Sequence, residues 1–400
     1  MSLWRYIVPA LAVAGSVVAQ DQCSDKTVKI QNSGDAEALN TCKTIKGDVV
    51  IDPSVSGDIR LDGVGQIQGD LRCDGCANLT SLAADSLTSI GGSWLLNGLT
   101  AVGSLNFPQI GSVRNIDWTA LGPGLSQLSF GDTGITKASI VHIENTYLTA
   151  LDGINLQEVD EFEIVENNFL SKVEVQFFNI THGLTLASNG MNLSAEFPNL
   201  EWAYNMTFRN VSEVKIPSLA RINGSLGFFD GFYSNIAAPN LTRLDSGSLI
   251  FADNNDLTNV SFPQLSFIGG GFTVANNTHL KSITGFPKVK TVNGAVDFSG
   301  NFSQAALPAL GVVQGAFNIQ STGDIDNGPC KAFQKQKDSS VIRGHYVCKG
   351  SENKPGRVGS NPTSSGAQPT KTGAADQLNV RAVEVVGFSS LIAGLLQMLL

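Results

Sequence analysis

An apolar residue, any residue and a second apolar residue return along this chain about every 22 residues, and that period leaves few possible folds. The unit reads Phe162-x-Ile164, Leu249-x-Phe251 and Phe272-x-Val274. Asn167, Asn254 and Asn277 follow three residues later, and Leu170, Leu257 and Leu280 three further on. The same template places starts at Val49, Leu71, Trp94, Ile116, Ile140, Phe162, Leu184, Met206, Leu226, Leu249, Phe272, Val296 and Phe317, spaced 20 to 24 residues apart. One short strand per 22 residues cannot bury its apolar side alone, so the units must stack into a solenoid. Thirteen coils at a strand spacing of about 4.8 Å make a rod of roughly 60 Å.

A second beat accompanies the first. Pro108-Gln109-Ile110, Pro198-Asn199-Leu200, Pro217-Ser218-Leu219, Pro239-Asn240-Leu241, Pro263-Gln264-Leu265, Pro287-Lys288-Val289 and Pro308-Ala309-Leu310 each precede a start. Each coil therefore has an apolar corner, a turn that often carries Gly, and a strand. With 42 Gly and only 15% charged residues, the expectation is an all-β chain, a right-handed β-helix or leucine-rich-repeat-like solenoid with many tight turns. Asn145, Asn167, Asn189, Asn254, Asn277 and Asn301 share one template slot. Each carboxamide there is expected to point inward and satisfy backbone groups that the turn leaves without sheet partners. The template also turns His142 inward.

The six cysteines read as structural bridges of an oxidising compartment. Cys23 and Cys42 lie near the start of the repeat region, and Cys330 and Cys348 near its end, where exposed sheet edges need caps. Cys73 falls at an inward strand position and Cys76 in the Asn slot, which favours a local bridge. Pairing Cys23–Cys42, Cys73–Cys76 and Cys330–Cys348 is expected, one of the fifteen pairings that six cysteines allow.

Asn-x-Ser/Thr sequons stand at Asn78, Asn179, Asn192, Asn205, Asn210, Asn223, Asn240, Asn259 and Asn276, mostly at turns or strand edges where a glycan is solvated. Asn301 also begins one, but the template buries it, so no glycan is expected there.

Both chain ends carry processing signals. Residues 1–19 combine Arg5, an apolar run from Tyr6 to Ala14 and Val17-Val18-Ala19, the pattern of a secretory leader. Residues 350–373 hold Pro355, Pro362 and Pro369 among Gly, Ser and Thr, a stalk composition that builds no core. Gly373-Ala374-Ala375, a polar-leaning spacer to Glu384 and an apolar tail over 385–400 form a GPI-attachment signal, with Gly373 the expected attachment residue and 374–400 removed. The sixteen-residue tail reaches about 24 Å as a helix, short of the roughly 30 Å hydrocarbon core. The glycolipid would hold the protein at the outer face of the plasma membrane or in the wall.

The repeat, with its Pro-x-Leu corners and its Ile222-Asn223-Gly224 and Val292-Asn293-Gly294 turns, resembles the receptor L-domain. Together with the leader, the terminal cysteine pairs, the sequons, the stalk and the GPI signal, it is similar to the fungal GPI-anchored cell-wall organisation family, the sporulation-specific and extracellular-mutant group. The resemblance covers about residues 20 to 400 and implies a surface mannoprotein needed for wall assembly, with no catalytic site to carry over. The stalk is short for that family and only moderately rich in Ser and Thr.

A net charge of −9 leaves no basic patch for nucleic acid. No zinc, phosphate or nucleophile motif appears, and His142, His182, His279 and His345 are far apart in sequence. No cofactor or metal is expected. The rival to a binding or structural role is a wall glycosidase or transglycosidase, which needs two carboxyl groups about 5 to 9.5 Å apart. Glu161 and Glu163 should both face outward on one strand, and Asp48 with Asp70, and Asp52 with Asp74, should stack in adjacent coils. Without burial beside them, all read as solvated carboxylates. The outward strip of Arg72, Asp117, Glu163, Thr185, Thr207, Thr273, Asp297 and Asn318 is rich in hydroxyl and amide. It suits contact with wall β-glucan, chitin or mannoprotein.

Overall fold

The computed structural model describes residues 22–356. The leader, Gly373 and the apolar tail lie outside them, as does most of the stalk. The described chain is a β-solenoid of parallel strands. Its register confirms the repeat residue by residue. Val28, Val49, Leu71, Trp94, Ile116, Val141, Phe162, Leu184, Met206, Leu226, Leu249, Phe272, Val296, Phe317 and Tyr346 stand side by side down one long sheet. One start is corrected. Val141, not Ile140, pairs with both Ile116 and Phe162. Ile140 faces solvent, and His142 faces outward with it rather than inward.

The Pro-x-apolar units are turns with proline at the second position, where its fixed φ is already suitable. The closing amide donates to the residue before the proline, as from Ile110 to Phe107 (3.2 Å), Leu241 to Ala238 (3.3 Å) and Leu310 to Leu307 (3.2 Å). Both flanking apolar side chains enter the core. Aromatic residues from successive coils fill it. Phe208, Phe228 and Phe251 stack with centroids 5.4 and 5.3 Å apart.

The chain leaves the sheet through a left-handed residue in coil after coil. Gly75, Gly98, Ala120, Asn145, Glu166, Ser188, Asn210, Asp230, Asp253 and Asn276 all have φ between 48° and 72°. This kink sends the next residue inward, which creates the slot. Asn167, Asn189, Asn254 and Asn277 occupy it and are buried. Two residues depart from expectation. Asn145 is itself the left-handed residue and is exposed, so Thr146 fills its slot. Asn301 is exposed, because the Val296–Gly300 strand runs one residue further than Phe272–Ala275 and moves the slot to the buried Phe302, whose amide donates to Ser321 Oγ at 2.9 Å. Its carboxamide accepts the exposed Thr322 hydroxyl at 2.9 Å. A glycopeptide map of the secreted protein is therefore expected to find glycan on Asn301. A bare Asn301 beside glycosylated neighbours would contradict this geometry.

Each end is closed by a helix and a disulfide. Among the described residues the Thr27–Ile30 strand pairs only with Asp48–Ile51, and beside it lies the Ser33–Ala38 helix, whose cap Asn32 accepts the Asp35 amide. Cys23 is bonded to Cys42 there. The Pro329–Asp338 helix and the Tyr346–Lys349 strand close the other end, joined by Cys330–Cys348. The third bridge, Cys73–Cys76, lies wholly inside one coil.

A candidate binding face on the long sheet

Strand alternation presents, beside an outer column of Ser93, Asn115, Ile140, Glu161, Gly183 and Asn205, two further outward columns on the long sheet. The first runs Arg72, Leu95, Asp117, His142, Glu163, Thr185, Thr207, Gly227, Ile250, Thr273, Asp297 and Asn318. It contains every residue of the strip read from the sequence and adds His142, which the shifted frame had hidden. The second column begins Asp74, Asn97, Thr119 and Glu144 and continues through Val165, Ala187 and Arg209.

The face divides chemically. Around the Val141 coil it is charged. His142 Nδ1 lies 3.2 Å from Glu163 Oε2, and Nε2 lies 3.1 Å from Glu144 Oε2. The hydrogen bond to Glu163, backed by the charges of Glu163 and Asp117 and the bond to Glu144, raises the imidazole pKa to about 9 against the pull of burial. At neutral pH the group is an imidazolium held among carboxylates. Burial, with the Glu163 charge added, raises the Glu161 pKa. Further along, Thr185, Thr207 and Thr273 leave a hydroxyl strip. At Gly227 a Cβ would strike the Phe229 ring, 2.3 Å away. Phe229 lies across the sheet there with the Arg209 guanidinium 5.2 Å above its centroid.

The carboxylates considered for hydrolysis are occupied otherwise. Glu163 is committed to His142. Asp48 Oδ1 accepts the Asp70 amide (2.9 Å), and Asp70 Oδ1 accepts the Ser93 amide (2.7 Å) while its other oxygen pairs with Arg72. Asp52 Oδ1 accepts from Ser54 at 2.9 Å, and Asp74 Oδ1 from Asn97 at 2.9 Å. Glu161 and Glu163 stand on an open sheet rather than in a cleft that could exclude water. Among the described residues, no group of three His, Cys, Asp or Glu could hold a metal ion.

None of the ten sequons falls in the two outward columns. Asn210 and Asn276 sit at the left-handed turn, and Asn78, Asn192 and Asn259 on the corner beyond it. Asn240 lies in a proline turn and Asn223 after a short strand. Asn205 faces outward within the Trp202–Arg209 strand, two residues before Thr207, and is half-buried with its Oδ1 accepting the Ser225 amide at 2.7 Å. Asn179 lines a groove of about 600 Å³ with Arg114, Lys137, Glu158 and Asp160, which opens where residues 120–139 contribute only isolated bridges. A glycan on Asn179 would cover that groove, whereas the two sheet columns themselves carry no sequon asparagine.

Comparison with known proteins identifies a family. A family model described as GPI-anchored cell wall organization protein, Ecm33, matches residues 1–40. Protein ecm33 of Aspergillus fumigatus is 42% identical over the whole of both chains. A cell surface GPI-anchored protein of Arthroderma benhamiae is 40% identical over 89% of each chain. Cell wall protein ecm33 of Schizosaccharomyces pombe is 30% identical over 86% of this chain and 81% of its own. No solved structure matches the chain. None of these relatives bears the name of an enzyme. The chain belongs to the Ecm33 family of fungal GPI-anchored cell-wall organisation proteins, located at the outer face of the plasma membrane and in the wall.

Proposed function

We propose that the protein organises the wall by contact rather than catalysis, and that the two outward columns of the long sheet that hold no sequon asparagine are the contact surface. The observation that carries this is the absence of sequons from two adjacent columns in a chain with ten of them. A branched glycan shields the surface around its attachment point, so a face that meets a partner must be clear. The Thr185, Thr207 and Thr273 hydroxyls, with the charged groups beside them, suit an extended polysaccharide, β-glucan or chitin, or the mannan of another wall protein, through several weak hydrogen bonds. The chain after residue 349 is proposed to act as the stalk, with the glycolipid at Gly373.

One experiment tests both parts. Phosphatidylinositol-specific phospholipase should release the protein from cells, and the released protein should co-sediment with insoluble β-1,3-glucan or chitin. Thr185→Lys combined with Thr273→Lys should weaken that co-sedimentation by about tenfold, some 1.4 kcal/mol spread over two contacts. Release only by glucanase would move the protein from membrane to covalent wall linkage. Wild-type protein that stays in the supernatant with glucan, chitin and mannan alike would defeat the contact-surface reading.

A further inference from the structure

The groove beside Asn179 has an apolar floor and a rim of both charges. Ile90, Val113, Ala138 and Val159 lie beneath it, all buried. Arg114, Lys137, Glu158 and Asp160 stand around it. No salt bridge among the described residues reaches Arg114 or Lys137, so both cations are open to a ligand. A rim of both signs does not suit a bare ion, which one half of it would repel. It suits a neutral ligand dense in hydroxyl and amide groups. Guanidinium and ammonium donate to the oxygens of such a ligand, and carboxylates accept from its hydroxyls.

The sequon on the groove wall singles out one ligand of that kind. Asn179 and Thr181, the first and last residues of Asn179-Ile180-Thr181, both line the groove, and Ile180 between them turns into the core. Thr181 Oγ1 donates to Asp160 Oδ1 at 2.5 Å. The Asn179 carboxamide makes no hydrogen bond among the described residues, which leaves its Nδ2 free to carry a sugar. The carboxamides of Asn240 and Asn259, by contrast, donate to Pro217 O at 2.9 Å and to Asn235 Oδ1 at 2.7 Å. In the sheet register Asn179 stands between Glu158 and Trp202. Neighbouring strands are about 4.8 Å apart, so a sugar on Nδ2 emerges with a carboxylate on one side and a half-buried indole on the other.

We propose that the groove is the seat of the Asn179 glycan, and that its proximal N-acetylglucosamine units act as a built-in ligand tying together the coils on either side of residues 120–139. The volume of about 600 Å³ falls within the range of small-ligand sites, roughly 300–1,000 Å³. Covalent attachment keeps the sugar at high local concentration, so a few weak hydrogen bonds are enough to seat it. The place is the one where the solenoid most needs a tie, because the coil between Trp118 and Ile140 joins its neighbours there only through isolated bridges such as Ser112 to Lys137. The inference rests on Asn179 being glycosylated. It is independent of the contact face, whose columns hold none of these residues.

The test is site-resolved release of glycan from the native, full-length secreted protein by peptide-N-glycosidase, followed by glycopeptide mass spectrometry. Asn179 should be released about tenfold more slowly than the exposed Asn78, the scale of one or two hydrogen bonds. Arg114→Ala combined with Lys137→Ala should abolish the difference. An unchanged Asn78 rate in that variant shows that the solenoid is intact, since both replaced side chains are exposed. Hydrogen exchange reads the tie itself. The Thr136 amide donates to Gly111 O at 2.9 Å and the Ser139 amide to Arg114 O at 2.8 Å, and both should exchange several-fold faster in Asn179→Gln, with no change near Phe317. Equal release at Asn179 in wild type and the double variant overturns the seat. Unchanged exchange at Thr136 and Ser139 overturns the tie, and an Asn179 without glycan overturns the choice of occupant.

Discussion

Asn167→Ala is expected to destabilise the middle coils by about 3–5 kcal/mol, more than any surface change. The carboxamide is fully buried and carries a complete set of bonds. Its Oδ1 accepts the Thr146 amide at 3.0 Å and the Thr146 hydroxyl at 2.6 Å, and its Nδ2 donates to the carbonyls of Ile143 (2.9 Å) and Val165 (2.8 Å). Alanine removes all four and deprives the Thr146 amide and the Ile143 carbonyl of this partner in an apolar interior, each costing about 1–3 kcal/mol when unpaired, while the Val165 carbonyl keeps the Asn145 amide at 3.2 Å. Leucine, close in volume, leaves the same groups orphaned and should be no better. Asn167→Asp would keep the acceptor but place a charge where carbonyls need donors. The same geometry recurs where Asn254 accepts the Gly231 amide at 2.9 Å and donates to Phe228 O at 3.0 Å, so Asn254→Ala should behave alike. Urea denaturation gives the magnitude. Hydrogen exchange gives the place, with faster exchange at Thr146 and Asn167 and little change near Phe317, because coils couple mainly to their neighbours. A loss below about 1 kcal/mol would show that water replaces the carboxamide without penalty.

His142→Gln should cost about 2 kcal/mol at pH 6 and almost nothing at about pH 10. The folded pKa of about 9 lies above the ordinary 6.5. The stabilisation is thus fully present below about 6.5, falls as pH rises through about 9, and is absent beyond. The whole interval corresponds to roughly 3 kcal/mol, which the partial exposure of the side chain, 27%, reduces through solvent screening. The charges responsible are Glu163, Glu144 and Asp117, with Glu161 close enough that His142 in turn lowers its pKa. Wild type and variant compared in urea across this range should converge above about pH 9. Parallel curves from about pH 6 to 10 would mean that the imidazole is neutral throughout and contributes by packing alone.

Much of the fold was legible because a solenoid repeats its evidence. Twelve of the thirteen starts fall in register, since each strand needs two inward apolar residues and the period ties every coil to the next. The miss at Ile140 has a local cause. Ile140, Val141 and Ile143 leave two frames open, and Asn145 drew the choice toward the wrong one, because an asparagine suits both a buried slot and a left-handed turn. That single shift concealed His142 and with it the charged part of the face. Asn301 failed for a related reason, since strand length rather than residue type decides where alternation ends. The exposed stack of Tyr147 and Phe169, with rings 4.9 Å apart, was illegible because an aromatic residue beside a buried leucine reads as core until the direction of the turn is known.

The capped ends give the solenoid a mechanical polarity. The chain departs from the Tyr346–Lys349 strand, which is hydrogen-bonded on one side only, to Phe317–Ser321. Tension on the chain beyond Lys349 would otherwise peel this strand away one bond at a time, the weakest way to load a sheet. Cys348 lies next to the point of departure, and its bond to Cys330 passes the pull to the Pro329–Asp338 helix, whose Phe333 packs against Phe317 with centroids 5.0 Å apart. A pull on the chain beyond Lys349 would therefore act on a covalent clasp backed by the core, and the coils above it would carry their surface without bearing the load.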